Sequence, residues 1–257
     1  MKENLAILVS DDFFSEYSFL KLKEKYNLFP FSFSESEKFN DSFIVKDANV
    51  PLFFEFLKKN NIKLIFFAGK VKANLVFENL HPTAKNLLSQ IGKLKPEDTM
   101  KKIADFLESY GLKIIPQTDV FIDEIAENKV YTFPLTDEEM EDVKTGLSVL
   151  EDILKHRIGQ SVIVKNGMIL GVEGIEGTDE LIKRIGKYCK DFVFVKGCNE
   201  DKDTRFDLPT IGMETVKNMK MAGGKIIAVK SDKTIILEKD KVVEECMKNE
   251  IKLIGIK

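Results

Sequence analysis

At 257 residues the chain is long enough for one large domain or for two of about 100–150 residues each. Hydrophobic residues make up 44% and charged residues 32%, enough to bury a core and keep the surface hydrated. The 39 basic and 42 acidic residues are mixed along the chain and leave a net charge of -3, so no basic block offers the phosphate neutralisation that nucleic-acid binding needs.

The chain opens on Met1-Lys2-Glu3-Asn4 and then Leu5 to Val9, an apolar run that predicts a buried strand. The run is too short for a signal segment and far below the roughly 20 residues of a membrane helix, so a cytoplasmic protein is expected. Residues 27–49, rich in Phe, Ser and Glu, predict loop and short strand. Leu52 to Lys59 places Phe53, Phe56 and Leu57 on one helical face. Ile62 to Ala68 and Leu112 to Ile115 predict further strands. Between them, Pro96 to Tyr110 predicts a helix with Pro at its start and Gly111 past its end. Strand alternating with helix implies a parallel sheet with helices on its faces, so the first domain is expected to be Rossmann-like.

Thr136-Asp137-Glu138-Glu139 has the spacing of a capping box, opening a helix that runs to about His156. With Pro134 just before it, this places the domain boundary near residue 133, giving domains of 1–132 and 137–257. The second half predicts a hairpin, Ser161–Lys165 and Met168–Val172 joined by Asn166-Gly167. Strands are expected at Asp191–Lys196, Lys225–Lys230 and Thr234–Glu238, with helices near Thr178–Tyr188 and Glu214–Ala222. Ser231-Asp232-Lys233 is expected to turn a second hairpin. The fold class is therefore α/β: an N-terminal Rossmann-like parallel-sheet domain followed by a mixed α/β C-terminal domain.

Cys189, Cys198 and Cys246 are odd in number and lack C-x-x-C spacing, which argues against disulfides and structural zinc. The two histidines, His81 and His156, are far apart, so a metal would fall to carboxylates and carbonyls, suiting a hard ion such as Mg²⁺. Two clusters offer them. In Val172 to Asp179, Gly174 and Gly177 interrupt Glu173 and Glu176 after a strand, and Thr178 opens a helix whose free amides can receive a phosphate. In Asp201 to Gly212, three aspartates and Arg205 lie within seven residues of a strand-end loop. Each cluster alone also fits a plain turn: a capped strand–helix junction in the first, a self-paired surface loop in the second.

Taken together the clusters resemble one family. Gly159 to Val164, Val172 to Asp179, Val195-Lys196, and Asp203 to Pro209 followed by Thr210 and Gly212 are similar, in order, to the motifs of the LpxI-type UDP-2,3-diacylglucosamine pyrophosphatases. The likeness spans about residues 140–256. Phe67-Ala68-Gly69-Lys70-Val71 resembles the family's turn in the first half, where Gly69 and Lys70 join the substrate-binding candidates. The family's glycine-rich loop after the first strand is replaced here by Ser10 to Phe14, without glycine. The resemblance implies a two-domain, dimeric, Mg²⁺-dependent enzyme (Mn²⁺ being the alternative ion) that releases UMP and 2,3-diacylglucosamine 1-phosphate.

On this reading a cleft between the domains holds a nucleotide-linked lipid, with at most peripheral membrane contact. Asp207 is the first choice for the essential carboxylate, with Asp203, Glu173 and Glu176 as further catalytic candidates. Asp207, Asp179 and Glu176 are the expected metal ligands. Lys196 and Arg205 are expected to grip phosphate beside Gly177 and Thr178. Phenylalanines between Phe13 and Phe43 are candidates for an acyl-chain groove. A hydrolase of another nucleotide- or lipid-linked diphosphate, or a non-catalytic binding protein of the same fold, are the alternatives.

Overall fold

A computed structural model describes residues 2–69, 81–91 and 96–257. The chain divides into two compact units, residues 1–120 and 121–257.

The first unit is built on five parallel strands, β1 (Asn4–Leu8), β2 (Asn27–Ser32), β3 (Phe43–Ile44), β4 (Leu64–Phe67) and β5 (Lys113–Ile114), in the order β3-β2-β1-β4-β5. The order reverses at β1, whose neighbours are β2 and β4. The carboxyl ends of β1 and β4 therefore flank the switch point at which such sheets hold ligands. Leu5, Ala6, Ile7, Ile65 and Phe66 are fully buried, which explains why these strands read as unbroken apolar runs. The helices are α1 (Phe13–Lys23), α2 (Val50–Lys59), α3 (Pro82–Ile91), α4 (Pro96–Ser109) and the short α5 (Gln117–Val120). Apolar periodicity does not reveal α1, because the residues it buries are Ser15, Ser18 and Leu22. The phenylalanines of residues 27–56 pack largely on one another: Phe43 stacks on Phe56 at 4.2 Å and Phe31 meets Phe53 at 4.8 Å.

The second unit is a three-layer sandwich. Its sheet, in the order β12-β10-β8-β6-β7, comprises β6 (Ser161–Lys165), β7 (Met168–Val172), β8 (Val193–Lys196), β10 (Ile226–Lys230) and β12 (Lys252–Ile256). Strands β8, β10 and β12 are parallel, while β6 runs antiparallel to β8 and β7. Alternation along each strand supplies two cores. Val162, Val164, Val193, Val195, Ile226 and Ala228 face α6 (Asp137–Lys155). Ile163, Phe194, Ile227 and Val229 face α7 (Thr178–Gly186), α8 (Met213–Ala222) and α9 (Lys239–Lys248). The Thr136–Glu139 capping box forms, and Asn166 and Gly167 both take positive φ in the β6–β7 turn.

Two expectations are revised. Residues 231–233 do not turn a hairpin. Both sides of β10 are occupied, by β8 and β12, so the chain leaves the sheet and β11 (Ile235–Ile236) pairs in parallel with β9 (Thr210–Ile211). The division between units falls at Val120/Phe121 rather than near residue 133. The intervening segment joins the second unit because its backbone is bonded there: the Ala126 amide donates to Thr234 O at 2.8 Å and the Tyr131 amide to Leu253 O at 2.9 Å.

Candidate active site

The two acidic clusters of the second unit lie on connections that leave the same region of its sheet. The register places Ser161 of β6 beside Lys196 of β8, and Val162 opposite Val172 of β7. The loop after β7 and the loop after β8 therefore start close together. Gly159 is needed here: a Cβ at this position would stand 2.2 Å from the carbonyl oxygen of Glu173, so only glycine lets the strand into β6 pass this backbone.

A chain of hydrogen bonds then ties the first cluster to β8. The Lys196 ammonium, on a residue only 6% exposed, donates to the Thr178 hydroxyl at 2.6 Å. Thr178 Oγ1 donates to Glu173 Oε1 at 3.1 Å, and the Gln160 amide donates to Glu173 Oε2 at 3.1 Å. Ser161 Oγ completes the group at 3.3 Å from Thr178 Oγ1. A buried ammonium needs such partners, and a carboxylate one hydroxyl away supplies its counter-charge. Of the predicted residues, the fold thus brings Glu173, Thr178 and Lys196 together.

The remaining candidates are placed separately. Glu176 pairs with Arg184 at 2.9 Å; its own amide and the Arg184 guanidinium hold its carboxyl below the ordinary range. Asp179 accepts from the Asn218 side-chain amide at 2.9 Å. Gly177 takes φ 80, a left-handed value that favours glycine, and leads into α7. Asp203 and Arg205 form a fork, with Nη2–Oδ2 at 2.7 Å and Nε–Oδ1 at 3.1 Å, and both side chains are largely buried. Asp207 differs from all of these. Its side chain is 72% exposed, between the buried Phe206 and Leu208, and it accepts from Lys202 Nζ at 3.0 Å.

In the first unit, Gly69 sits at the switch point, and its amide donates to Leu8 O at 2.7 Å. A Cβ there would stand 2.6 Å from the Val9 carbonyl carbon, so close backbone approach alone requires glycine. Lys70 lies outside the described residues. The loop after β1 closes on itself: Asp12 Oδ1 caps α1 by accepting from the Ser15 amide, and Asp12 Oδ2 accepts from the Ser10 hydroxyl. Asp11 accepts from Ser36 Oγ and the Lys38 amide, which hold its carboxyl below the ordinary range. Two carboxylates therefore stand where an open glycine loop would present amides to a phosphate.

The expected metal ligands do not form a ready cage. Among the described residues no three His, Cys, Asp or Glu side chains are grouped to hold a metal ion. Mg²⁺, however, is commonly held by one or two carboxylates together with substrate phosphates. Asp207, 72% exposed although paired with Lys202, fits that demand better than Glu176, paired with Arg184, or Asp179, bonded to Asn218.

Sequence comparison assigns this architecture. A model of the LpxI N-terminal domain matches residues 28–124 and a model of the LpxI C-terminal domain matches residues 127–254. The chain belongs to the LpxI family. The UDP-2,3-diacylglucosamine pyrophosphatase LpxI of Caulobacter vibrioides is 25% identical over 205 residues, covering 74% of this chain and 73% of its own length. Family membership makes the chain a hydrolase. The two LpxI models meet close to the structural division between units, and both clusters lie in the C-terminal match.

Three further lysines stand by the second cluster: Lys202 bonds Asp207 at 3.0 Å, Lys233 bonds the Lys202 carbonyl at 3.1 Å, and the Lys230 stem crosses Gly197. Lysines scattered over 30 residues carry no motif; only the parallel pairing of β8 and β10 brings them together.

Proposed function

We propose that this LpxI-family hydrolase cleaves the diphosphate of UDP-2,3-diacylglucosamine, adding water to give UMP and 2,3-diacylglucosamine 1-phosphate in lipid A assembly. One observation carries the assignment of the reacting carboxylate. The Asp207 side chain is 72% exposed even with Lys202 bonded to it, whereas Asp203 and Glu176 are far less exposed and held by Arg205 and Arg184, and Glu173 is held by Thr178. In the hydrolysis one P–O bond to the bridging oxygen breaks while water supplies the new P–O bond. Asp207 orients that water and accepts its proton. Lys202, bonded to Asp207, holds the carboxylate in place, and the Asp203–Arg205 fork sets the shape of the loop that presents it. Glu173, Thr178 and Lys196 fix the neighbouring loop, at whose end Gly177 opens the α7 amides toward an anion.

Mg²⁺ or Mn²⁺, with Asp207 as its protein ligand, would neutralise charge on the two phosphates. The family resemblance also supports a homodimer, a cytoplasmic location and peripheral contact with the membrane that holds the lipid. No described helix is long and apolar enough to cross a membrane. The test is incubation with UDP-2,3-diacylglucosamine in Mg²⁺, in Mn²⁺ and in excess chelator. Metal-dependent release of UMP is expected. Release of UMP from a different nucleotide–lipid diphosphate, with none from this one, would replace the substrate assignment.

A further inference from the structure

The two cations singled out for phosphate, Lys196 and Arg205, are committed to Thr178 and Asp203 inside the fold. A second set of cations stands at the same end of the sheet. Val229 of β10 pairs with Lys196 of β8, so the next residues, Lys230 at the end of β10 and Gly197 just beyond β8, lie side by side. Their contact is close: a Cβ on Gly197 would lie 2.6 Å from Lys230 Cγ, and glycine lets the lysine stem cross that strand end. Three residues on, Lys233 Nζ donates to the carbonyls of Glu200 and, at 3.1 Å, of Lys202, fastening the turn after β10 to the loop after β8. Lys202 in turn reaches Asp207 at 3.0 Å.

Cys198, only 5% exposed, lies within the field of Lys202, Lys233 and Lys230, with Asp207 as the carboxylate opposing them. Glu200, Asp201 and Asp232 belong to the same loops but are exposed to solvent, which screens them. The same turn also holds unsatisfied polar groups. Two hydroxyls of the turn after β10, Ser231 Oγ and Thr234 Oγ1, are buried without a hydrogen-bond partner, on residues 9% and 0% exposed. Buried hydroxyls rarely go unpaired.

We propose that Lys230 to Thr234, together with Lys202, forms a subsite for a phosphoryl group, in which the lysines supply charge and Ser231 supplies a hydroxyl. The proposal rests on the hydrolase reading and deepens it by naming where a phosphate of the substrate is held. Lysine suits the task because an ammonium has three donors, so one that already meets a carbonyl or a carboxylate can also meet a phosphate oxygen. Lys202 stands between this subsite and Asp207, so a phosphate bound here lies beside the carboxylate that acts on water.

Inorganic pyrophosphate, titrated calorimetrically into the full chain without metal, tests the subsite. Lys230→Met keeps the stem over Gly197 and removes the charge, and it is expected to weaken pyrophosphate binding at least tenfold. Ser231→Ala is expected to weaken it about threefold, and Lys217→Ala on the exposed face of α8 should leave it unchanged. Wild-type affinity in Lys230→Met, or no pyrophosphate binding by the wild type, overturns the subsite. If Lys230→Met does not fold, Lys230→Gln serves with the same expected loss. UMP release separates the two readings. A wild type that binds pyrophosphate through Lys230 but does not cleave UDP-2,3-diacylglucosamine overturns the substrate assignment alone. Normal cleavage and normal pyrophosphate binding by Lys230→Met overturn the subsite alone.

Discussion

Asp207 holds a left-handed backbone conformation, φ 54, which Asp and Asn tolerate better than other side-chain-bearing residues. Its ion pair with Lys202 joins a 72% exposed carboxylate to a side chain only 7% exposed, so solvent screens the pair from one end only. Asp207→Asn keeps the backbone preference and removes the charge. The variant should unfold within about 1 kcal/mol of wild type, because Asn still offers Lys202 an acceptor. Its kcat for UMP release should fall more than tenfold, a barrier rise above about 1.4 kcal/mol. Near-normal kcat with a lowered Tm would instead make Asp207 a turn residue. The cysteines show a contrasting chemistry at the same scale. Burial pushes the Cys198 thiol up to about 11 and the Cys246 thiol up to about 12, so neither presents a thiolate nucleophile near neutral pH.

Helix α6 is anchored at its start by more than its cap. Glu139 accepts from the Thr136 amide at 2.8 Å, and the same carboxylate meets Lys225 at 3.1 Å and the Lys252 ammonium. Burial alone would raise the Glu139 carboxyl. Lys252, the Thr136 amide and Lys225 together outweigh it and hold the group at about 2. Because the folded value lies below the unfolded one, this stabilisation is present above about pH 4.5 and is lost as pH falls toward 2. Glu139→Gln should therefore cost on the order of 2 kcal/mol at pH 7 in urea unfolding. The gap between variant and wild type should close between pH 4.5 and 2; a gap independent of pH would show that packing, not charge, is the source. The same contacts explain why the capping box was legible in sequence while its importance was not. Spacing shows the Thr136–Glu139 pair, but Lys225, just before β10, and Lys252 of β12 reach it only after the sheet forms.

At the scale of the whole molecule, the division into units 1–120 and 121–257 has a direct consequence. Phe121 and Ala126 are buried, and residues 126–131 bond to the backbone near Thr234 and Leu253. A fragment of residues 121–257 should fold cooperatively, with a sharp thermal transition followed by circular dichroism. A fragment beginning at residue 133 loses those partners and should melt lower and more broadly. Equal melting of the two fragments would return the boundary to the residue-133 region suggested by Pro134 and the Thr136 cap.

Much of this protein was determined by local sequence. The strands at Leu5, Ile62, Ser161 and Lys225 are apolar runs, the helix starts at Pro96 and Thr136 carry their own signals, and Asn166-Gly167 sets its own turn. Those features rest on backbone preference and nearest neighbours, so a linear reading reaches them. The clusters at 172–179 and 201–212 were visible for the same reason, as was the family they resemble. What each charge does was decided by the fold. Lys196 and Arg205, the obvious phosphate ligands, are turned inward to Thr178 and Asp203, while Lys230 and Lys233, which carry no motif, are brought beside Asp207's loop. Helix α1 stayed hidden because it buries serines, and the turn at 231–233 could not make a hairpin because β8 and β12 already flank β10. Side-chain charge interacts through space rather than along the chain, so its partners are set by strand order, which no local pattern encodes.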